Sequence, residues 1–114
     1  MEAPDHLEIS LDELMCLRAP GTYLVKCEGD SMQGAGIFSG DILIVDKGRD
    51  ATAGDIVIGV INQEPLVKYL CFGSGGMPIL RSSNKKYPDR WIMENDSFEV
   101  WGVVTHSIRD HDKG

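Results

Sequence analysis

The sequence has no apolar run approaching the roughly 20 residues that a membrane-crossing helix needs. It has no surplus of positive charge either: 11 Lys and Arg stand against 18 Asp and Glu, a formal net charge of -7. Wrapping a phosphate backbone is therefore not its expected main work, and no sequence-specific DNA contact is expected. Cysteine is scarce and unpaired. Cys16, Cys27 and Cys71 are an odd number without close spacing, which suits a reducing cytoplasm better than a disulfide scaffold. Histidine is equally sparse: His6, His106 and His111 are scattered, with no Cys-x-x-Cys or His-Glu-x-x-His spacing, so no metal or cofactor is expected. Met1 to His6 lack the basic start and apolar middle of a signal peptide. No Gly-x-Ser-x-Gly elbow is present, and Gly73-Ser74-Gly75-Gly76 lacks the following lysine and helix that would hold a phosphate.

What is present describes an ordinary soluble domain. The 114 residues are 42% apolar and 25% charged, enough for one domain around one core. Residues Asp5 to Leu17 read as a short helix: Ser10 and Glu13 form a capping box, and Leu11, Leu14 and Met15 share a face. Ala19-Pro20-Gly21 stops it. From there the pattern is β. Strands are expected at Thr22 to Cys27, Ile42 to Val45, Ile56 to Ile61, Leu66 to Phe72, Pro78 to Arg81 and Ser97 to Ile108. Asn62-Gln63-Glu64-Pro65 reads as a hairpin turn, and Ser82 to Pro88 as a polar connection. The expected fold class is mostly β, a sandwich or barrel with a short N-terminal helix.

Two residues draw attention as chemistry. In Gly29-Asp30-Ser31-Met32-Gln33-Gly34 a serine stands at the apex of a glycine-rich turn after a strand. Such a turn can present a hydroxyl beside free backbone N–H groups, as a nucleophile and its oxyanion hole require. Equally, Ser31 can cap a short helical turn. Lys68 lies in a strand with Leu66, Leu70 and Phe72 on its own face and Val67, Tyr69 and Cys71 on the other. Desolvation there lowers a lysine pKa and makes neutral amine available as a base. The alternative is a snorkelling lysine guarding a sheet edge. Cys27 has no evident base and reads as a buried strand residue.

Taken together, the segments Tyr23 to Met32, Gly40 to Asp46, Gly54 to Val57, Val67 to Leu70, Leu80 to Pro88 and Val100 to Val104 closely resemble the LexA/UmuD peptidase domain. The likeness runs in order from Thr22 to about Ile108. It implies a LexA/UmuD-like β fold carrying a serine–lysine dyad for RecA-stimulated self-cleavage in the SOS response. On that resemblance Ser31 is the nucleophile and Lys68 the general base, and the backbone N–H groups of Asp30 and Ser31 form the oxyanion hole. The chain then divides into an N-terminal arm with a short helix (1–21), the peptidase domain (22–109) and a frayed tail (110–114).

Three departures refine the resemblance. Only about 20 residues precede the first strand, so no helix-turn-helix domain fits and the chain is similar to the UmuD branch, accessory to an error-prone translesion polymerase. The family's Ala-Gly or Cys-Gly scissile bond is missing upstream of Ser31, since both Ala-Gly pairs, Ala35-Gly36 and Ala53-Gly54, lie downstream of it; a mature-like form is expected. Leu66 stands where relatives often carry a threonine that orients the lysine. The implied partners are a second copy in a homodimer, a UmuC-like polymerase subunit and the RecA filament, with no membrane. Two rival readings remain open at this point: a stand-alone serine–lysine protease acting in trans, or a repressor's peptidase domain without its DNA-binding part. A third is a β-domain that binds without cleaving.

Overall fold

β-branched and aliphatic residues bounded by glycine-containing turns build seven strands: β1 (Thr22–Lys26), β2 (Ile42–Asp46), β3 (Ile56–Ile61), β4 (Glu64–Phe72), β5 (Pro78–Arg81), β6 (Arg90–Trp91) and β7 (Phe98–Ile108). The computed structural model describes residues 21–109. The helix expected within 5–17 and the tail 110–114 lie outside the described residues. The strands form one antiparallel sheet in the order β1-β2-β7-β3-β4-β5-β6, so the mostly β class holds.

β3 is apolar at nearly every position because both of its faces are covered. Val57 and Ile61 pack with Leu70, Leu80, Ile92 and Val103. Ile58, on the opposite face, packs with Cys27, Met32, Ile37, Leu43 and Val45. Leu43, Val45, Val57 and Leu80 are completely buried. Each such side chain contributes about 2 kcal/mol of transfer free energy. The second of these clusters is the floor on which the Ser31 turn rests, through Met32.

β7 spans the whole sheet, pairing with β2 and with β3, and it does so through two bulges. The register runs from Ile58–Gly102 to Gly59–Val100, which leaves Trp101 as an extra residue. It runs likewise from Ile44–His106 to Val45–Val104, which leaves Thr105 extra. Bulges of this kind bend a strand and increase its twist. A side chain at Gly102 would meet Val45 Cγ1 at 2.5 Å, so the bend needs glycine there.

The hairpin between β3 and β4 is tighter than its sequence suggests. Asn62 and Gln63 alone make the turn, both at positive φ (50° and 74°), and β4 already begins at Glu64. Pro65 is thus a strand residue, opposite Val60. It is tolerated because β5 pairs with β4 only from Tyr69 onward, so the missing N–H withdraws no ladder bond. β6 is the strand the sequence did not announce. Its two residues pair with Ile79 and Leu80.

Candidate active site

The Ser31 turn is held at its two ends and along its middle. At the ends, the Cys27 N–H donates to the Asp41 carbonyl (2.8 Å) and the Gly40 N–H to the Cys27 carbonyl (2.7 Å). Gly29, at φ +95°, reverses the chain where other residues would be strained. In the middle, the Ser83 N–H donates to the Ser31 carbonyl at 2.9 Å, and Asn84 Nδ2 to the Asp30 carbonyl at 2.9 Å. The Ala35 N–H donates to Ser83 Oγ at 3.0 Å. A trans peptide points its C=O and N–H in opposite directions. With both carbonyls turned to residues 83 and 84, the N–H groups of Ser31 and Met32 face the other way.

Residues Gln33–Ala35 form a single 3-10 turn whose N-cap is Met32, without a side-chain cap. Ser31 Oγ is therefore not spent on capping, which settles one of the two readings of this serine. Asp30 and Ser31 are both partly buried.

Lys68 lies in β4 opposite Val57 of β3, one residue before β5 joins β4 at Tyr69, and is half-buried. Desolvation by burial holds its pKa below the ordinary lysine value, against a smaller opposing influence from Cys27. Ser31, Lys68, Cys27, Glu28, Leu66 and Val67 share the walls of one cleft of about 290 Å³. The sequence-derived pair is therefore brought together. Among the described residues, Ser31 Oγ and Lys68 Nζ do not hydrogen-bond to each other; Lys68 Nζ lies 5.5 Å from the centroid of the Tyr87 ring.

Cys27 is buried as expected, but one residue past the end of β1 and in the same cleft. Burial pushes its thiol pKa up, with Asp41 and Glu28 adding to the rise and Lys68 opposing it. That favours the protonated, unreactive thiol. Leu66 lines the cleft with an apolar side chain and no hydroxyl for the amine.

Residues 83–87 matter more than their polar composition suggested. Beyond the bonds from Ser83 and Asn84, the Tyr87 hydroxyl donates to Asp30 Oδ1, and Lys86 Nζ pairs with Asp30 Oδ2 at 3.2 Å. The Tyr87 and Lys86 contacts hold the Asp30 carboxyl below its usual range, while Asp30 pushes the Tyr87 phenol up. No periodicity or spacing marks these residues in the sequence. Their role depends on β5 delivering the loop beside a turn some 50 residues upstream, as the separation of Ala35 from Ser83 (48) shows.

A larger groove of about 630 Å³ lies elsewhere, lined by Tyr23, Lys47, Glu99 and Trp101 among others, with no serine, cysteine or histidine in its walls. Among the described residues no His, Cys, Asp or Glu cluster suited to a metal ion occurs.

Comparison with known proteins agrees with this architecture. Residues 1–105 match the Peptidase S24-like family. Protein MucA of Salmonella typhimurium is 41% identical over 106 residues, covering 91% of this chain and 70% of that protein. Protein MucA of Escherichia coli matches to the same extent. LexA repressor 2 of Xanthomonas axonopodis pv. citri is 34% identical over 101 residues, 89% of this chain and 46% of the repressor. A serine and a half-buried lysine in one cleft of an antiparallel sheet, together with these matches, place the chain in the Peptidase S24-like family, as a UmuD-like member of the LexA/UmuD group.

Proposed function

We propose that this chain is a UmuD-like SOS mutagenesis protein whose cleft holds a Ser31/Lys68 dyad for peptide-bond cleavage. The observation that carries the dyad is the shared cleft, with Ser31 free of capping duty and Lys68 partly desolvated on β4. In the proposed mechanism, neutral Lys68 takes the Ser31 proton as Oγ attacks the scissile carbonyl. The backbone N–H groups of Ser31 and Asp30 receive the oxyanion, the Ser31 N–H being turned away from Asn84 as this requires. The Lys68 ammonium then returns its proton to the departing amine, leaving an acyl ester on Ser31. Neutral again, Lys68 takes a proton from water as the hydroxide attacks that ester; as the ester C–O bond breaks, the Lys68 ammonium returns this proton to Ser31 Oγ, and the carboxylic acid product leaves and ionises in solution.

Within the family, the higher identity to MucA than to LexA repressor 2 (41% against 34%) favours the UmuD branch. The accessory role with a UmuC-like polymerase subunit, the RecA filament and a second copy of the chain belongs to this reading. Its physical support is modest but specific. A net charge of -7 suits basic protein partners, and among the described residues β1 is an edge strand of the sheet with an exposed Leu24.

The test is cleavage in trans. The protein is mixed with a longer UmuD-type precursor whose own serine is mutated, and cleavage is followed from pH 7 to 10. Activity that rises with pH and disappears in Ser31→Ala and Lys68→Ala is the expected result. No cleavage at any pH by folded protein would remove the catalytic part of the reading. Pull-down of a polymerase subunit, equally strong with Ser31→Ala, tests the accessory role separately.

A further inference from the structure

The Tyr87 side chain reaches both the turn that carries Ser31 and the Lys68 amine. Its hydroxyl donates to the carboxylate of Asp30, the residue before Ser31, and its ring face lies 5.5 Å from Lys68 Nζ. Lys86 Nζ lies 6.0 Å from the same ring and also pairs with Asp30. An ammonium is attracted to the negative face of an aromatic ring, and a neutral amine is not. Resting on the Ser31/Lys68 reading above, we propose that Tyr87 is a positioning residue for the dyad: its ring parks the Lys68 ammonium away from Ser31, and its hydroxyl fixes the turn that carries Ser31. Loss of the Lys68 proton then ends the hold of the ring and frees the amine to turn toward Ser31 Oγ.

The other groups around Lys68 do not supply this hold. Lys26, Cys27 and Glu28 line the cleft from the end of β1 and the two residues beyond it. Asp30 is engaged by Tyr87 and Lys86, and Arg81 on β5 is engaged by Asp89. β3 carries no charged side chain at all. Among the described residues, the aromatic face holds the ammonium beside a smaller influence from Cys27.

Two variants separate the two functions of the residue. Tyr87→Phe keeps the ring and loses the hydroxyl; Tyr87→Leu keeps apolar cover and loses the ring. Both sit at a position that is 39% exposed, and circular dichroism and urea unfolding check their folding. The Lys68 amine is titrated by NMR on protein labelled with ¹³C-lysine, alongside the pH profile of trans cleavage. For Tyr87→Leu, a Lys68 midpoint lower by about half a pH unit is expected, with the cleavage profile shifted the same way. For Tyr87→Phe, the midpoint stays in place and cleavage falls several-fold at every pH. An unchanged or raised midpoint in Tyr87→Leu, or an equal shift in Tyr87→Phe, would overturn the proposal. The NMR titration needs no turnover: a wild-type protein that fails to cleave defeats the dyad reading, while the Lys68 midpoints still decide whether the ring holds the ammonium.

Discussion

Gly34 lies directly beneath the backbone of Ser83: a Cβ at residue 34 would stand 2.1 Å from the Ser83 carbonyl oxygen. Neighbouring bonds from Ser83 N–H to the Ser31 carbonyl and from Ala35 N–H to Ser83 Oγ show what that closeness serves. The loop after β5 can brace the Ser31 turn only because one residue of that turn has no side chain.

Gly34→Ala should therefore push residues 83 and 31 apart. A backbone oxygen cannot swing aside as a flexible side chain would, so a cost of about 2 kcal/mol in urea unfolding is expected. Trans cleavage should fall further than stability does, since the serine turn itself moves. Wild-type stability together with wild-type cleavage would show that the brace is dispensable.

Lys68 should make stability depend on pH in a defined direction. Burial places its folded pKa below the ordinary value of 10.5. Below the folded midpoint both states are protonated, and the native state bears the cost of a partly desolvated charge. Between the folded midpoint and 10.5 the unfolded chain binds more protons than the native one, so stability rises with pH across that window. Above it the cost is gone. Lys68→Met should accordingly be more stable than wild type at pH 7, with the advantage shrinking toward pH 11. Parallel stability curves for the two proteins would refute a desolvated Lys68.

Asp41 and Arg109 form a clamp whose loss should be costly. The Asp41 carboxylate is buried, accepts from the Phe38 N–H at 2.9 Å, and pairs with Arg109 Nε at 3.2 Å. The same guanidinium donates to the Gly36 carbonyl and stacks 4.1 Å from the Phe38 ring centroid. Arg109→Ala leaves a buried charge short of a partner and should cost about 2 kcal/mol. Arg109→Lys should recover part of this but not the stacked, two-headed geometry. Equal unfolding midpoints for wild type and Arg109→Ala would count against the clamp.

Much of the sheet was legible in the order of residues. The runs at Ile42, Ile56 and Pro78 become strands within a residue of their expected ends, because short apolar β-branched runs between turn residues have few alternatives. Pro65 misled, since a proline usually ends a strand and here sits where β4 has no second neighbour. β6 escaped notice because two residues carry no alternation to detect. Ser31 and Lys68 were each ambiguous from their own surroundings, and the family resemblance singled them out as a pair. The bracing residues Ser83, Asn84 and Tyr87 lay within the Leu80 to Pro88 segment of the family resemblance, but nothing in their own pattern marked what they hold.

The sequence by itself determined what short-range physics controls: a β-rich chain, an acidic surface, a glycine turn with serine at its apex, and a lysine amid apolar strand residues. Only the tertiary structure decided that these two residues share a cleft, that Ser83 and Asn84 turn the neighbouring carbonyls aside, and that the Lys68 ammonium meets the Tyr87 ring. Turns and strands are set by neighbours along the chain. A cleft joins residues from β1, the turn after it, β3 and β4, and its contacts exist only once the sheet has chosen its order and register.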